Sequence, residues 1–210
     1  MILQSLVEYY EALEKKGKIT RPGWCKAKIS FALDISETGD LLDVIPLKIE
    51  KQRGKKTVME PRQMEVPEMV TRSSGVSANF LCDNSGYFLG IDNKGKPKRS
   101  KECFAAAKNK HLEILEGIEG TTARAVRSFF GSWNPDSAAE HAAIKDSLDE
   151  IISGGNLIFC VNGDWAQDEH EIREAWENCR GNAEWENEGI CLVTGQKTEI
   201  SRIHGLIKGV

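Results

Sequence analysis

From Lys26 to Ser36 the chain reads KAKISFALDIS, with Ala27, Ile29, Phe31 and Leu33 at every second position; further on, apolar residues recur instead at three- and four-residue steps. A period of two is what a strand with one buried face requires, and a period near 3.6 is what an amphipathic helix requires. The change of period predicts a fold in which strands and helices come from separate stretches of chain.

The turn ETGD and the run LLDVIPLKIE follow the first strand and predict its hairpin partner. KQRGKK is then a basic loop centred on Gly54, and VMEPRQMEVPEM, interrupted by Pro61 and Pro67, reads as extended but irregular. Ahead of these strands, Leu3, Leu6, Val7, Tyr10 and Leu13 predict a helix over 2–16 with one buried stripe, ended by Gly17 and the RPG turn at 21–23.

A second basic loop, IDNKGKPKRSKE, leads into a helix over about 100–118, marked by Phe104, Ala107, His111, Leu115 and Ile118. Thr121 or Thr122 can cap a helix running to Phe130. Asp136 or Ser137 can cap another that buries Ile144, Leu148, Ile151 and Ile152. NLIFCVNG is a short buried strand, Ile172, Ala175, Trp176 and Cys179 mark an amphipathic helix, and GICLVTG reads as strand and turn. A strand-rich N-terminal part with hairpins, a helical middle and returning short strands give the α+β class.

Charge divides along the same line. Residues 1–110 carry a balance of +6 and residues 111–210 one of −10, within a chain of net charge −4. The expected organisation is a basic, strand-rich part over 1–98 and a helical, acidic part over 99–210. Such asymmetry suggests a first half that faces a polyanion.

Several classes find no support. No apolar run approaches the roughly 18 residues of a membrane span, and the N-terminus lacks the layout of a secretory signal. The six cysteines are scattered singly, which predicts reduced thiols in a cytoplasmic protein. No G-x-S-x-G, H-E-x-x-H or P-loop signature occurs, so no enzyme activity and no cofactor is expected. Of the four histidines, His111 sits on an apolar stripe and reads as packed, whereas His141 and His170 read as solvated. Cys179, Cys191 and His204 are one ligand short of structural zinc and too widely spaced, so no metal is expected; a metal-dependent nuclease on Cys191 and His204 is the weakest alternative.

Nucleic-acid binding fares better. Lys94, Lys96, Lys98, Arg99 and Lys101 crowd one loop, and Lys48, Lys51, Arg53, Lys55 and Lys56 flank Gly54 in another. Loops of this kind hold phosphates without sequence preference. Between them lies TRSSGVSANFLCDNSGYFLG, residues 71–90. Arg72 can pair with phosphate or a guanine edge, Ser73 and Ser74 can donate and accept, and Gly75 admits close backbone approach. Asn79 and Asn84 can read base edges or pin turns. Phe80-Leu81 and Tyr87-Phe88-Leu89 are expected as short strands anchoring that polar loop.

MILQSLVEYYEAL, KISFALDIS, VTRSSGVSANFLCDNSGYFLGID, KGKPKRSKECFAAAKNKH and CLVTGQKTEISRIHGLIKGV together resemble the large subunit of the type I-C (Dvulg subtype) CRISPR surveillance complex, Cascade. The resemblance runs in order from residue 1 to residue 210. Members of that family are several times longer, so the chain reads as an N-terminal portion. The resemblance implies a non-catalytic subunit of an RNA-guided antiviral complex. Its N-terminal region is expected to recognise the protospacer-adjacent motif in duplex target DNA, aid R-loop formation and recruit a helicase-nuclease, beside the subunits that hold the CRISPR RNA. On that basis Arg72–Gly75, Asn79 and Asn84 are the expected motif readers, and Lys94, Lys96, Lys98 and Arg99 the phosphate holders. The acidic second half, with Glu171, Glu174 and Glu177, is expected to face protein. The alternative is an interaction module for protein or RNA that leaves duplex DNA to another subunit.

Overall fold

The computed structural model describes residues 2–72, 75–181, 188–191 and 195–199. Ser73, Ser74 and His204 lie outside the described residues. The chain divides into two compact units, Thr20–Cys179 and a smaller one of residues 1–19 and 180–210.

The smaller unit begins with α1 (Ile2–Lys15), whose apolar residues fall at the expected helical spacing. The expectation of a buried stripe needs correction, because no α1 residue is buried: Ile2 is 81% and Tyr9 63% exposed.

In the larger unit, β1 (Trp24–Ile35) is the central strand. It pairs antiparallel with β2 (Leu41–Pro46) through residues 31–35 and with β4 (Lys56–Pro67) through residues 24–29. Between these two comes β3 (Lys48–Arg53), antiparallel to the first half of β4. Thus KQRGKK, expected as a loop, is the end of β3, a two-residue turn at Gly54-Lys55 and the start of β4, and the stretch expected to be irregular is one continuous strand. Pro61 falls where β4 changes partner from β3 to β1, and Pro67 ends the strand, positions that tolerate a missing N–H.

The even alternation expected of β1 is also corrected. Ala27 and Ile29 pack with Val66, Cys82, Ile158 and Cys160, whereas Phe31, Leu33 and Ile35 belong to the main core. A register irregularity between Ile29 and Phe31 explains the switch, since one extra residue in a strand exchanges its two faces.

Four helices follow: α2 (Ser85–Phe88), α3 (Pro97–Ile114), α4 (Thr121–Ser132) and the short α5 (Leu148–Ile152). The expected strand at Tyr87–Leu89 is therefore the end of α2 and its cap, and Phe80-Leu81 is irregular chain. The helix expected after Asp136 is two 3-10 turns, Pro135–Glu140 and Lys145–Ser147, leading into α5. Then β5 (Asn156–Val161) pairs parallel with β1, and β6 (Asp164–Trp165) pairs antiparallel with β5. α6 (His170–Gly181) is the amphipathic helix expected there. A small antiparallel pair, β7 (Glu188–Ile190) and β8 (Lys197–Glu199), belongs to the smaller unit.

The core gathers Phe80, Phe88, Phe129, Phe130 and Phe159, all fully buried. Phe88 stacks on Phe159 at 4.8 Å and meets Phe130 edge-on at 5.9 Å between ring centroids. Each buried phenylalanine contributes about 1.5–3 kcal/mol through area removed from water. This aromatic block ties α2 to α4 and β5, and α3 joins it through Phe104 and His111, whose ring centroids lie 5.8 and 4.4 Å from that of Phe130.

Candidate nucleic-acid interface

After Pro67 the chain crosses irregularly to α2, and Asp83 fastens that crossing to the sheet. Its backbone exchanges two hydrogen bonds with Leu157 of β5, at 3.2 and 2.7 Å. Its carboxylate is fully buried, a costly placement unless every lone pair is used. One oxygen accepts from Arg72 Nη1 at 2.9 Å and from the Asn84 N–H at 2.8 Å. The other accepts from Arg72 Nη2 and from the Asn79 N–H.

Arg72 is held on every side. Its Nε donates to the Ser77 carbonyl at 2.5 Å, and its guanidinium lies 4.0 Å from the Tyr87 ring centroid. Burial alone would lower its pKa, but the hydrogen bonds and charge of Asp83 outweigh burial and hold it above the ordinary arginine value. Asn79 is 2% exposed, and its Oδ1 accepts the Val70 N–H at 2.9 Å. Asn84 caps α2, its Oδ1 accepting the Gly86 N–H at 3.0 Å.

Between Asn79 and Asp83, Leu81 takes a left-handed φ of 54°, rare for a branched side chain. Its N–H donates to Nε2 of His111 at 2.9 Å. The other ring nitrogen, Nδ1, lies 2.7 Å from the Ala107 carbonyl and so carries the proton. Burial lowers the His111 pKa to about 3, so the imidazole is neutral. The histidine read as packed is packed, and it also satisfies a buried N–H that no strand partner reaches.

Above this anchorage is an open cleft of about 220 Å³. Arg72, Gly75, Asn84, Lys94 and Arg99 line it, together with Tyr87 and Asp92. Gly75, at φ 82°, takes a conformation suited to glycine, and its carbonyl accepts from Arg99 Nη2 at 2.7 Å. Asp92 accepts the Lys94 N–H at 2.9 Å, shaping the turn that precedes α3. The first turn of α3 holds Lys98 and Arg99 with no acid, and Lys96 at the N-cap makes no side-chain cap bond. Cations at a helix N-terminus oppose its dipole, so the local field there favours an incoming anion.

Lys96 and Lys98 are exposed, and Lys101 is ion-paired with Asp136. In the other basic segment Lys48 pairs with Glu150 at 2.5 Å and Lys51 with Glu60 at 3.4 Å, while Lys55 and Lys56 are exposed at the hairpin end. The Arg53 backbone pairs with that of Lys56. Of the three acids on α6, Glu177 accepts from Arg21 and Trp24, the Glu171 carboxylate lies against Gly120, and Glu174 is exposed beside His170.

Tyr87, expected as part of an anchoring strand, anchors the loop from α2 through its ring against Arg72 and its hydroxyl, which accepts the Ser77 N–H at 3.2 Å. Asp83 was missed by sequence reasoning. A lone acid inside FLCDNSG was the available signal, since an Asp amid apolar residues needs a cation or several N–H groups. Lys110 was missed as well: its ammonium donates to the Ala78 carbonyl at 2.9 Å, and burial lowers its pKa. Among the described residues no group of three or more His, Cys, Asp or Glu could hold a metal ion, and no helix is long and apolar enough to cross a membrane.

Compared with known families, residues 6–210 match a model described as CRISPR-associated protein (Cas_Csd1). No curated protein matches the chain.

Proposed function

Because the chain belongs to the Cas_Csd1 family of CRISPR-associated proteins, we propose that it acts in a type I-C Cascade as the non-catalytic, DNA-recognising part of the large subunit. It recognises the protospacer-adjacent motif in duplex DNA, helps open the R-loop and offers a surface to the helicase-nuclease. The guide RNA reads the rest of the target.

One observation carries this reading: Arg72, Lys94 and Arg99 converge with Gly75 and Asn84 on a single open cleft. The roles within it divide by how far each side chain is already committed. Arg72 and Asn79, bound to Asp83 and Val70, position the turn. Arg99 gives one N–H to Gly75 and keeps other donors for a phosphate or a guanine edge. Lys94, Lys96 and Lys98 neutralise phosphates. The exposed part of the acidic α6 face, centred on Glu174, repels DNA and is left to a protein partner.

Equilibrium binding to a motif-bearing duplex and to its scrambled counterpart tests the division. Replacing Lys94, Lys96 and Lys98 by Gln weakens both duplexes alike and flattens the salt dependence by about 0.9 per lost phosphate contact. Arg99→Gln, or Asn84→Ser with its capping hydroxyl retained, weakens the motif-bearing duplex about tenfold more than the scrambled one, as loss of a base contact does. Equal losses on both duplexes would remove motif reading from this cleft.

A second reading, a protein- or RNA-binding module that leaves duplex DNA to another subunit, draws on the exposed apolar side chains of α1. Photocrosslinking from position 96 in the assembled complex separates the two, by whether DNA or RNA is attached.

A further inference from the structure

The β3–β4 hairpin is built unlike the rest of the sheet. β3 is the edge strand, and residues 56–61 of β4 pair with β3 alone. No described side chain over 48–61 is buried, and Ile49 and Met59, on opposite faces, are 49% and 57% exposed. A two-stranded ribbon exposed on both faces has little hydrophobic support of its own.

Its charge is also one-sided. Residues 51–57 carry four cations and no acid. The register sets Lys51 opposite Val58 and Gln52 opposite Thr57, and opposed residues share a face. Lys51 and Lys56 therefore stand on one face, with Lys55 in the turn, while Gln52, Thr57 and Met59 occupy the other. Lys55 and Lys56 have no carboxylate partner among the described residues, and the ion pair of Lys51 with Glu60 leaves its side chain 60% exposed.

We propose that this ribbon lies in the major groove of B-form duplex DNA, with Lys51, Lys55 and Lys56 on the phosphates that border it. The inference rests on the reading of the chain as a duplex-DNA-binding protein and adds a second, motif-independent contact to the cleft. Three features select this occupant. Six residues of strand span about 20 Å, and a two-stranded ribbon fits a major groove about 12 Å wide. Residues 48–61 include no aromatic side chain, so a single strand would find nothing to stack on. The major groove of an RNA duplex is too narrow and deep to admit a ribbon.

The test uses the intact chain with a motif-free DNA duplex, the matching single strand and an RNA duplex. Binding is followed against salt, and guanine N7, which faces the major groove, by methylation protection. The variant Lys51→Gln/Lys55→Gln/Lys56→Gln lowers DNA-duplex affinity at least about tenfold, reduces the salt slope by about 2.7 and loses N7 protection. Thr57→Ala/Met59→Ala, on the opposite face, leaves all three unchanged. N7 protection absent from the unmodified chain, an equal loss on the single strand, or an RNA duplex bound as tightly as DNA would each overturn the proposal. So would a triple variant that alters only self-association, since edge lysines can serve merely to block strand pairing. Failure of the cleft reading looks different: there the Arg99 and Asn84 variants leave motif preference intact while the ribbon variant still lowers affinity for both duplexes.

Discussion

Arg72 and Asp83, eleven residues apart, form a forked ion pair in which both guanidinium Nη atoms bind the two oxygens of a fully buried carboxylate. The pair closes the segment between them into a loop, and the Tyr87 ring supports the guanidinium from one face. The cleft owes its shape to this closure, because Gly75 lies within the closed segment and Asn84 immediately after it.

Asp83→Ala leaves the Arg72 cation half-buried without its partner and orphans the N–H groups of Asn79 and Asn84. Breaking a buried pair costs about 3–5 kcal/mol. Urea unfolding is expected to show a loss of at least about 3 kcal/mol, and a loss below about 1 kcal/mol would mean the pair is incidental to the loop.

His111 makes stability depend on pH with a defined sign. Its folded pKa is lowered to about 3 from an ordinary 6.5, so between those values the unfolded chain binds more protons. The contribution is complete above pH 6.5 and lost as pH falls through that window, with a slope of at most about 1.4 kcal/mol per pH unit. In His111→Gln that share of the slope disappears, which urea titrations at neutral and mildly acidic pH measure directly.

Gly39 turns the β1–β2 hairpin at φ 89°, and a Cβ there would stand 2.4 Å from the Phe129 backbone nitrogen of α4. Gly39→Ala therefore combines a left-handed backbone penalty with overpacking against main chain. About 2–4 kcal/mol is expected from the two together. Thermal unfolding reads it, and an unchanged midpoint would show that α4 can shift aside.

The pattern of legibility follows from these particulars. α3 was readable because its apolar spacing extends over many residues, the β1–β2 hairpin because the ETGD turn separates two apolar runs, and β5 because glycines bound its apolar run on both sides. Segment 78–89 was not. Phe80-Leu81 and Tyr87-Phe88-Leu89 are apolar runs too short for periodicity to separate strand from helix. The bulge in β1 exchanges two faces through one residue, which composition does not mark. The candidate cleft was legible as a cluster, since Arg72, Asn84, Lys94 and Arg99 are close in sequence. Hidden from the sequence was which of them are already committed to protein, because the Asp83 partnership and the burial of Asn79 are tertiary facts.

Acidic α6 gives a test independent of DNA binding. Glu174 is exposed, whereas Glu177 is tied to Arg21 at 2.9 Å and to the Trp24 indole. Glu174→Lys is expected to leave duplex affinity unchanged and to impair target degradation by the recruited helicase-nuclease. Undiminished degradation would take the docking surface away from this helix.

The most direct measurement is the structure of the assembled complex on a motif-bearing duplex. The Lys94 ammonium and the Arg99 guanidinium are expected within hydrogen-bonding distance of DNA atoms, with Arg72 still forked onto Asp83. A cleft occupied by protein, or open to solvent with the duplex bound elsewhere, would contradict the proposal that this surface meets DNA.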